Sequence, residues 1–251
     1  MSRQSVRPSV CATLLLSLLF LPLSVSAALD LKTWTDLLAE AVTDGAVDYS
    51  RWDKNARFDA LVEQIATVDT GAMNRQQKLV FYINAYNILA AQGILDGNSP
   101  DGLLARYAYF KRDTYLVSGA RITLHALEHE LIRPLQEPRI HFAIVCASVS
   151  CPILQSEAYT LENLDQQLQA ATTEFINDPR RNQFDRANAS ANLSSIFKWF
   201  EEDFVEAAGS LQAYLAPLVE NEEVAALLED EAFKIRYQRY DWSLNGTLSL
   251  P

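Results

Sequence analysis

All three histidines of the chain and two of its three cysteines lie in one stretch, from His125 to Cys151. Imidazole and thiolate are common catalytic bases and nucleophiles, and both also bind zinc. The stretch is therefore compatible with three kinds of site: a thiol catalyst, a metal site, or a disulfide beside ordinary core histidines.

A thiol catalyst needs a cysteine with a lowered pKa and a base within reach. Cys151 precedes a proline, which favours the first position of a helix, so we expect Cys151 at a helix N-terminus whose dipole stabilises a thiolate. Cys146 ends a β-type run over residues 140–146, on the face opposite to His141. His129 is then the better base for Cys146, although both cysteines and both histidines remain candidates.

The base needs a partner that orients its ring. Glu128 precedes His129 directly, while Asn84 and Asn87 lie in the apolar segment LVFYINAYNILAAQGIL. Any of the three would serve as that partner. The alternatives are that Glu128 faces solvent and that the asparagines satisfy buried backbone groups.

The disulfide and metal interpretations use the same residues. Cys146 and Cys151 are five residues apart and would pair in an oxidising compartment if geometry allows. His125 to His129 fits the H-x-x-E-H zinc pattern, but three fixed positions make a weak signal. We predict no metal and no cofactor, because the chain also contains no phosphate-binding glycine loop and no dinucleotide fingerprint.

Residues 1–27 have the layout of a secretory signal peptide, with two arginines before an apolar run and small residues ending at Ala27. The run is shorter than the roughly 20 apolar residues of a spanning helix. We therefore expect cleavage near Ala27, a periplasmic or secreted protein, one domain over residues 28–251, and no transmembrane segment in the mature chain.

The chain is acidic, with 32 Asp and Glu against 21 Lys and Arg and a formal net charge of −11. Because phosphate binding begins with a basic patch, this charge excludes a nucleic-acid partner. We interpret the late acidic runs EEDF, ENEEV and LEDEAF as solvated helix faces. The partners that remain are a small-molecule or peptide substrate, or an envelope protein.

Hydrophobic periodicity predicts a helix-rich α+β domain with a small sheet. A possible capping box at Asn74 and Gln77 marks the start of the most apolar helix. The predicted elements are helices over 30–42, 74–95, 125–133, 161–176 and around 196–204, a hairpin joining 114–117 to 121–124, and strands over 140–146 and 233–238.

Several separated motifs, in this order, resemble the DUF547 family, a domain of unknown function in secreted bacterial and in plant proteins. The motifs are FYINAYNILA, ITLHALEHELIRP, RIHFAIVCASVSCPIL, FKWFEEDF and YDWSLN. The resemblance runs from about residue 50 to Asn245. The positions that it marks are Asn84, Tyr86, Asn87, Glu128, His129, Arg133, His141, Cys146, Cys151, Tyr240, Asp241 and Trp242.

The marked Asn, His and Cys imply an analogy with papain-like or transglutaminase-like thiol enzymes, in a permuted arrangement because the order along this chain is Asn, His, Cys. That analogy implies a hydrolase or acyltransferase acting on amide or ester bonds. His125 is outside the family pattern, which weakens the zinc interpretation. The alternative to an enzyme is an envelope binding or scaffold protein with a Cys146–Cys151 disulfide, and the second alternative is a zinc-binding protein.

Overall fold

The computed structural model describes residues 28–230 and 232–249. The predicted signal peptide and its cleavage position near Ala27 therefore lie outside the described residues. Within the described part of the chain, no helix combines the length and apolar character needed to span a bilayer.

The longest helix, α3 (Arg75–Leu95), forms the centre of the first hydrophobic core. Asn74 and Gln77 form the predicted capping box at its start. The helix is buried on nearly all sides from Leu79 onward, which explains why its sequence is apolar around the whole circumference. This predicted helix is confirmed.

Two amphipathic helices, α1 (Leu31–Ala41) and α2 (Ala56–Thr67), complete the first core. The strands β1 (Val42–Thr43) and β2 (Ala46–Asp48) form a short hairpin after α1. The rings of Trp52 and Phe58 stack at a centroid distance of 5.6 Å in this core.

The hairpin predicted from the sequence is confirmed, since β3 (Thr114–Val117) and β4 (Ala120–Thr123) pair antiparallel. It leads into a helical segment that starts as α5 (Leu124–Ala126) and continues through a π-helical stretch, Leu127–Ile132. The helix ends before its proline, as predicted, because the π-helical stretch stops at Ile132. A 3₁₀ turn over Arg133–Leu135 includes the proline in its first turn, where a missing N–H costs little.

The prediction of a strand over residues 140–146 is wrong. Pro138–Phe142 forms a 3₁₀ helix, and the chain then runs irregularly to Cys146. A short, fully buried apolar run has the same composition in a strand and in a buried coil, so periodicity alone does not distinguish them. The predicted helix after Cys151 is absent too, because the next helix, α6, covers only Leu164–Asn177.

The second core packs helices α6, α7 (Ser195–Trp199) and α8 (Glu201–Ala208) around the ring of Phe142. A sheet of β5 (Gln183–Asp185), β6 (Ser190–Leu193) and β7 (Lys234–Tyr237) covers this core. β7 confirms the strand predicted from alternation and pairs in parallel with β6.

The fold is the predicted helix-rich α+β class with small sheets. The permuted papain-like or transglutaminase-like arrangement stays a prediction. The remaining regular elements of the described residues are α4 (Leu103–Tyr107), α9 (Leu211–Leu215), α10 (Glu222–Leu227) and β8 (Gly246–Thr247), with a π-helical stretch over Ala108–Arg112 and 3₁₀ turns over Tyr49–Arg51 and Arg186–Asn188.

The C-terminal segment crosses from the second core back to the first. β8 pairs in parallel with β2, and any side chain at Gly246 would overlap the backbone of Val47. On the way, Ser243 accepts the backbone N–H of Val149, and Ala147 accepts that of Asn245. This segment, residues 240–249, therefore fastens the loop that carries the cysteines.

Candidate functional site

A cavity of about 510 Å³ lies where the two cores meet, a volume typical of a small-molecule site. Cys146 packs against both cores and contributes to its wall. Both π-helical stretches also line it, and such stretches are frequent at functional sites. The other polar, basic and aromatic side chains of the wall are Tyr86, Arg106, Tyr107, Phe110, Lys111, His125, Glu128, His129, His141, Cys151, Trp199, Phe200, Tyr240 and Trp242.

Four side chains form what we name the thiol cluster: Cys146, Ser148, Cys151 and Tyr240. The Cys146 sulfur lies 2.6 Å from the Cys151 sulfur, 3.1 Å from the Ser148 hydroxyl and 3.4 Å from the Tyr240 hydroxyl. The backbone N–H of Cys146 donates to the Cys151 sulfur at 2.8 Å. Both cysteines are free thiols in the structure, and Cys146 is the more accessible, since Cys151 is only 3% exposed.

The two thiols differ in acidity. Burial alone would raise the pKa of Cys146, but hydrogen bonds from Cys151, Ser148 and Tyr240 stabilise its thiolate and lower the pKa to about 7. Burial and the neighbouring Cys146 raise the pKa of Cys151 well above its ordinary value. Cys146 is therefore the thiolate of the pair near neutral pH, without the helix dipole that the sequence predicted for Cys151.

The backbone between the cysteines explains this arrangement. Ala147 adopts a left-handed conformation with φ +58°, which costs an alanine about 1 kcal/mol. The turn is held by the Cys151 N–H, which donates to the Ser148 carbonyl, and by an isolated bridge between Ser148 and Leu244. The sharp turn brings two sulfurs that are five residues apart into contact.

A second group of side chains forms what we name the imidazole network: Glu128, His129, Arg133, His141 and Asp203. Arg133 makes a two-pronged ion pair with Asp203, at 2.8 and 2.6 Å, and its other terminal nitrogen lies 2.9 Å from Nδ1 of His129. Nε2 of His141 lies 2.7 Å from the Asp203 carboxylate. The His141 ring stacks on Phe200 at a centroid distance of 3.9 Å.

These contacts determine the histidine tautomers. A guanidinium only donates, so Nδ1 of His129 accepts from Arg133 and the ring proton is on Nε2. His141 donates from Nε2 to Asp203, which leaves its Nδ1 as an acceptor. That Nδ1 is buried and has no hydrogen-bond partner among the described residues, and the nearest carboxylate oxygen of Glu128 is 4.0 Å away.

Burial shifts the ionisation of the network. Burial and the nearby Cys146 raise the pKa of Glu128 to about 8, while burial, His125 and Arg133 lower the pKa of His129 to about 4. Burial also lowers the pKa of His141, although Asp203 opposes the shift. At pH 7 both imidazoles are therefore neutral and most of Glu128 carries a proton.

One carboxylate of the imidazole network, that of Asp203, stays ionised beside these neutral groups. Burial opposes ionisation of Asp203, but hydrogen bonds from Arg133 and His141 hold the pKa of Asp203 well below its ordinary range. The Asp203 carboxylate is thus ionised at any pH at which the protein would be assayed.

The candidate residues from the sequence lie in three parts of the structure, namely the thiol cluster, the imidazole network and helix α3. Cys146 and Cys151 belong to the thiol cluster, whereas Glu128, His129 and His141 belong to the imidazole network on the same cavity. No hydrogen bond among the described residues joins Cys146 to His129 or His141. The partners that orient the two rings are Arg133 and Asp203 rather than Glu128 or an asparagine.

The structure places Asn84 outside the cavity. Its amide donates to the Val80 and Tyr159 carbonyls and accepts from the Tyr159 N–H. Asn87, one turn later on α3, donates to the Ala143 carbonyl and accepts from the Val145 N–H. Both asparagines satisfy buried backbone groups, which was the alternative interpretation of these residues.

The zinc pattern is not assembled into a site. The rings of His125 and His129 lie 4.1 Å apart, but no three His, Cys, Asp or Glu side chains of residues 28–230 and 232–249 are grouped to hold a metal ion. His125 lies on the cavity wall next to His129.

Sequence reasoning missed two members of the site. Asp203 belongs to the acidic run EEDF, which we interpreted as a solvated helix face, yet it follows Phe200 by three residues and so lies beside the apolar face of its segment. Ser148 lies between the cysteines and was assigned only to a turn. A polar residue on an apolar helix stripe is the signal that marks Asp203.

The comparisons with known proteins agree with the resemblance in the sequence. Residues 70–176 match the family model described as "Protein of unknown function, DUF547". No curated protein and no solved structure matches the chain. The matched region contains both cysteines, both candidate histidines and Glu128, while Asp203 and Tyr240 lie beyond it. The similarity to the DUF547 family is therefore shown for residues 70–176.

Proposed function

We propose that the protein is a thiol-dependent hydrolase or acyltransferase that acts on amide or ester bonds, with Cys146 as the nucleophile. The observation that carries the proposal is the thiol cluster, in which three hydrogen bonds lower the pKa of one accessible thiol to about 7 beside a cavity. A thiol with a pKa near the ambient pH combines a large thiolate fraction with good nucleophilicity.

The reaction starts when the Cys146 thiolate attacks the acyl carbon. The carbon–sulfur bond forms, and the carbonyl π electrons move to the oxygen as a negative charge. The Nε2–H of His129 points away from its bond to Arg133, so it is the donor in this wall suited to that oxygen. The neutral imidazole of His129 donates its one ring proton in a hydrogen bond to this oxygen and carries no proton on its other nitrogen.

Collapse of this intermediate breaks the bond to the leaving group, which takes a proton from Glu128. With a pKa of about 8, Glu128 holds that proton at neutral pH. His141 acts as a positioning residue, because its free Nδ1 faces Glu128 and Asp203 fixes its ring. Water or another acceptor then attacks the thioester, gives its proton to Glu128, and releases Cys146 as thiolate.

The first test is the pH dependence of alkylation by iodoacetamide in the reduced protein, measured by intact mass for each cysteine. We expect Cys146 to react with a midpoint near pH 7 and Cys151 to react slowly. Cys146→Ser should abolish turnover of thioester, ester and amide probes, whereas Cys151→Ser, the matched control, should retain a reactive thiol. Unchanged turnover after both substitutions would end the proposal.

A second candidate function follows from one distance. The sulfurs of Cys146 and Cys151 are 2.6 Å apart, so a small movement would bring them to the 2.05 Å of a disulfide. In that form the protein would be an envelope binding or scaffold protein. If neither cysteine of the exported protein is alkylated until a reductant is added, this candidate replaces the enzyme.

We also propose that residues 1–27 are removed near Ala27 and that the protein acts in the periplasm or outside the cell. The support is the charged, apolar and small-residue pattern of this segment. Mass spectrometry of the exported protein tests it, since a mature chain that still begins at Met1 would contradict cleavage.

A further inference from the structure

We propose that the cavity selects acyl substrates that join an apolar chain or ring to an anionic group at the far end from the reacting carbonyl. This inference rests on the proposed function and adds the substrate class to it. The residues at the cavity mouth carry it, and the catalytic steps do not use them.

The mouth carries apolar side chains that are exposed in the described part of the chain. Helix α4 has no buried residue, and Leu103 and Tyr107 on it are 79% and 59% exposed. Trp199, on the facing helix, is 47% exposed and stacks with Trp242 at 5.6 Å. All four line the cavity. Exposed apolar groups gathered at one cavity mouth indicate contact with an apolar ligand.

The same mouth is positively charged although the protein is acidic. Arg106 lies over the Trp242 ring at 4.3 Å, and Lys111 lines the cavity beside it. Neither makes an ion pair with a carboxylate in the described part of the chain. Glu128, the acidic residue on this wall, is mostly protonated at pH 7. Apart from the Cys146 thiolate itself, the wall therefore presents two cations and little negative charge.

The positions of the cavity residues determine how an acyl substrate is oriented. The reactive sulfur contacts the buried Cys151 and Tyr240, whereas Lys111 is exposed and Arg106 is half-buried. An acyl group that reaches the sulfur thus leaves its distal end beside the cations, with the aromatic rings along its length. A carboxylate and a phosphate both satisfy this chemistry.

The test uses three 4-nitrophenyl esters with six-carbon acyl chains: the hexanoate, the adipate monoester with a terminal carboxylate, and the 6-aminohexanoate with a terminal ammonium. We expect kcat/KM to fall in the order anionic, neutral, cationic, with about tenfold between the first two, equivalent to about 1.4 kcal/mol. The preference should shrink as NaCl is raised, because exposed charges are screened.

The double variant Arg106→Gln/Lys111→Gln should remove the preference for the anionic ester. Arg121→Gln, which removes an exposed charge on the β3–β4 hairpin, is the control and should keep it. Equal kcat/KM for the three esters in the unchanged protein, or a preference that survives in the double variant, would overturn the inference.

Binding separates this inference from the proposed function. The Cys146→Ser protein cannot form the thioester, so calorimetry with adipic monoanilide and hexananilide measures recognition alone. Tighter binding of the monoanilide, together with no turnover of any ester by the unchanged protein, supports the inference and contradicts the enzyme. Turnover with equal binding of the two anilides supports the enzyme and contradicts the inference. A phosphate-terminated anilide of the same length identifies which anion is preferred.

Discussion

The thiol cluster and the imidazole network line one cavity but handle charge in opposite ways. In the thiol cluster, neutral donors surround Cys146 and favour its ionised form. In the imidazole network, an ion pair between Arg133 and Asp203 holds two neutral imidazoles, and burial keeps the neighbouring Glu128 protonated. In the proposed reaction the Cys146 thiolate is thus stabilised by hydrogen bonds, and the proton for the leaving group is stored on a separate residue, Glu128.

This difference distinguishes the site from a thiolate–imidazolium pair. In such a pair the two groups share one proton and the charged state dominates at neutral pH. Here the pKa of His129 is about 4, below that of Cys146, so a charged pair between them is not populated at pH 7. The two groups therefore titrate separately, and each can be altered without the other.

The largest effect is expected from Asp203→Ala in the imidazole network. It leaves the partly buried Arg133 charge without its partner and frees the His141 ring, which should lower the free energy of unfolding by about 3 kcal/mol. Urea unfolding measures it. The double variant Arg133→Met/Asp203→Leu is the control, and a loss as large as that of the single variant would contradict the role of the unpaired charge.

The next effect is a change in the pH dependence of stability from Glu128→Gln. The folded pKa of Glu128 is about 8 against an ordinary value of 4.5, so the folded state binds more protons between these values and stability falls as pH rises through them. Glutamine removes this contribution. The stability difference between the variant and the unchanged protein should therefore grow in favour of the variant from pH 5 to pH 8, and a constant difference would contradict the raised pKa.

A smaller effect is expected from Tyr240→Phe in the thiol cluster. The hydroxyl, whose pKa burial raises, remains a donor to Cys146, and its loss should slow alkylation of Cys146 at pH 7 about tenfold. Rates measured above pH 9 should converge with those of the unchanged protein, because the thiol is then ionised in both. A tenfold deficit that persists at high pH would indicate altered access instead.

The smallest effect is expected from His125→Asn, since His125 has no hydrogen bond to either group in the described residues. Turnover and alkylation should change less than twofold, and added zinc should not change them further. A loss as large as that of Cys146→Ser would restore the zinc interpretation of the H-x-x-E-H pattern.

Elements with local signals were predictable from the sequence. The capping box of α3, the β3–β4 hairpin and the alternation in β7 each depend on residues close together in the chain, and each was found. Residues 140–146 were assigned wrongly because burial from all sides removes periodicity. The left-handed conformation of Ala147 was not predictable, because only tertiary contacts support it.

The site itself was predictable in part. The clustering of His and Cys identified the cavity wall, and the family resemblance added Tyr240 and Arg133. The choice between Cys146 and Cys151 depended on which thiol receives the hydrogen bonds of Ser148, Tyr240 and the other cysteine, and the left-handed turn at Ala147 decides this without a spacing signal. Asp203 was hidden because its acidic neighbours on the helix are solvated and it is not.

The C-terminal segment of residues 240–249 makes thiol activation a late event in the biogenesis of the protein. Ser148 and Cys151 are synthesised soon after Cys146, but Tyr240 and the strand that pins the cysteine loop emerge almost a hundred residues later. Until then the sulfur lacks one of its three hydrogen bonds and its loop lacks the pairing of the C-terminal segment. An incomplete chain thus carries a less acidic Cys146 thiol, and the full lowering of its pKa requires the closed fold.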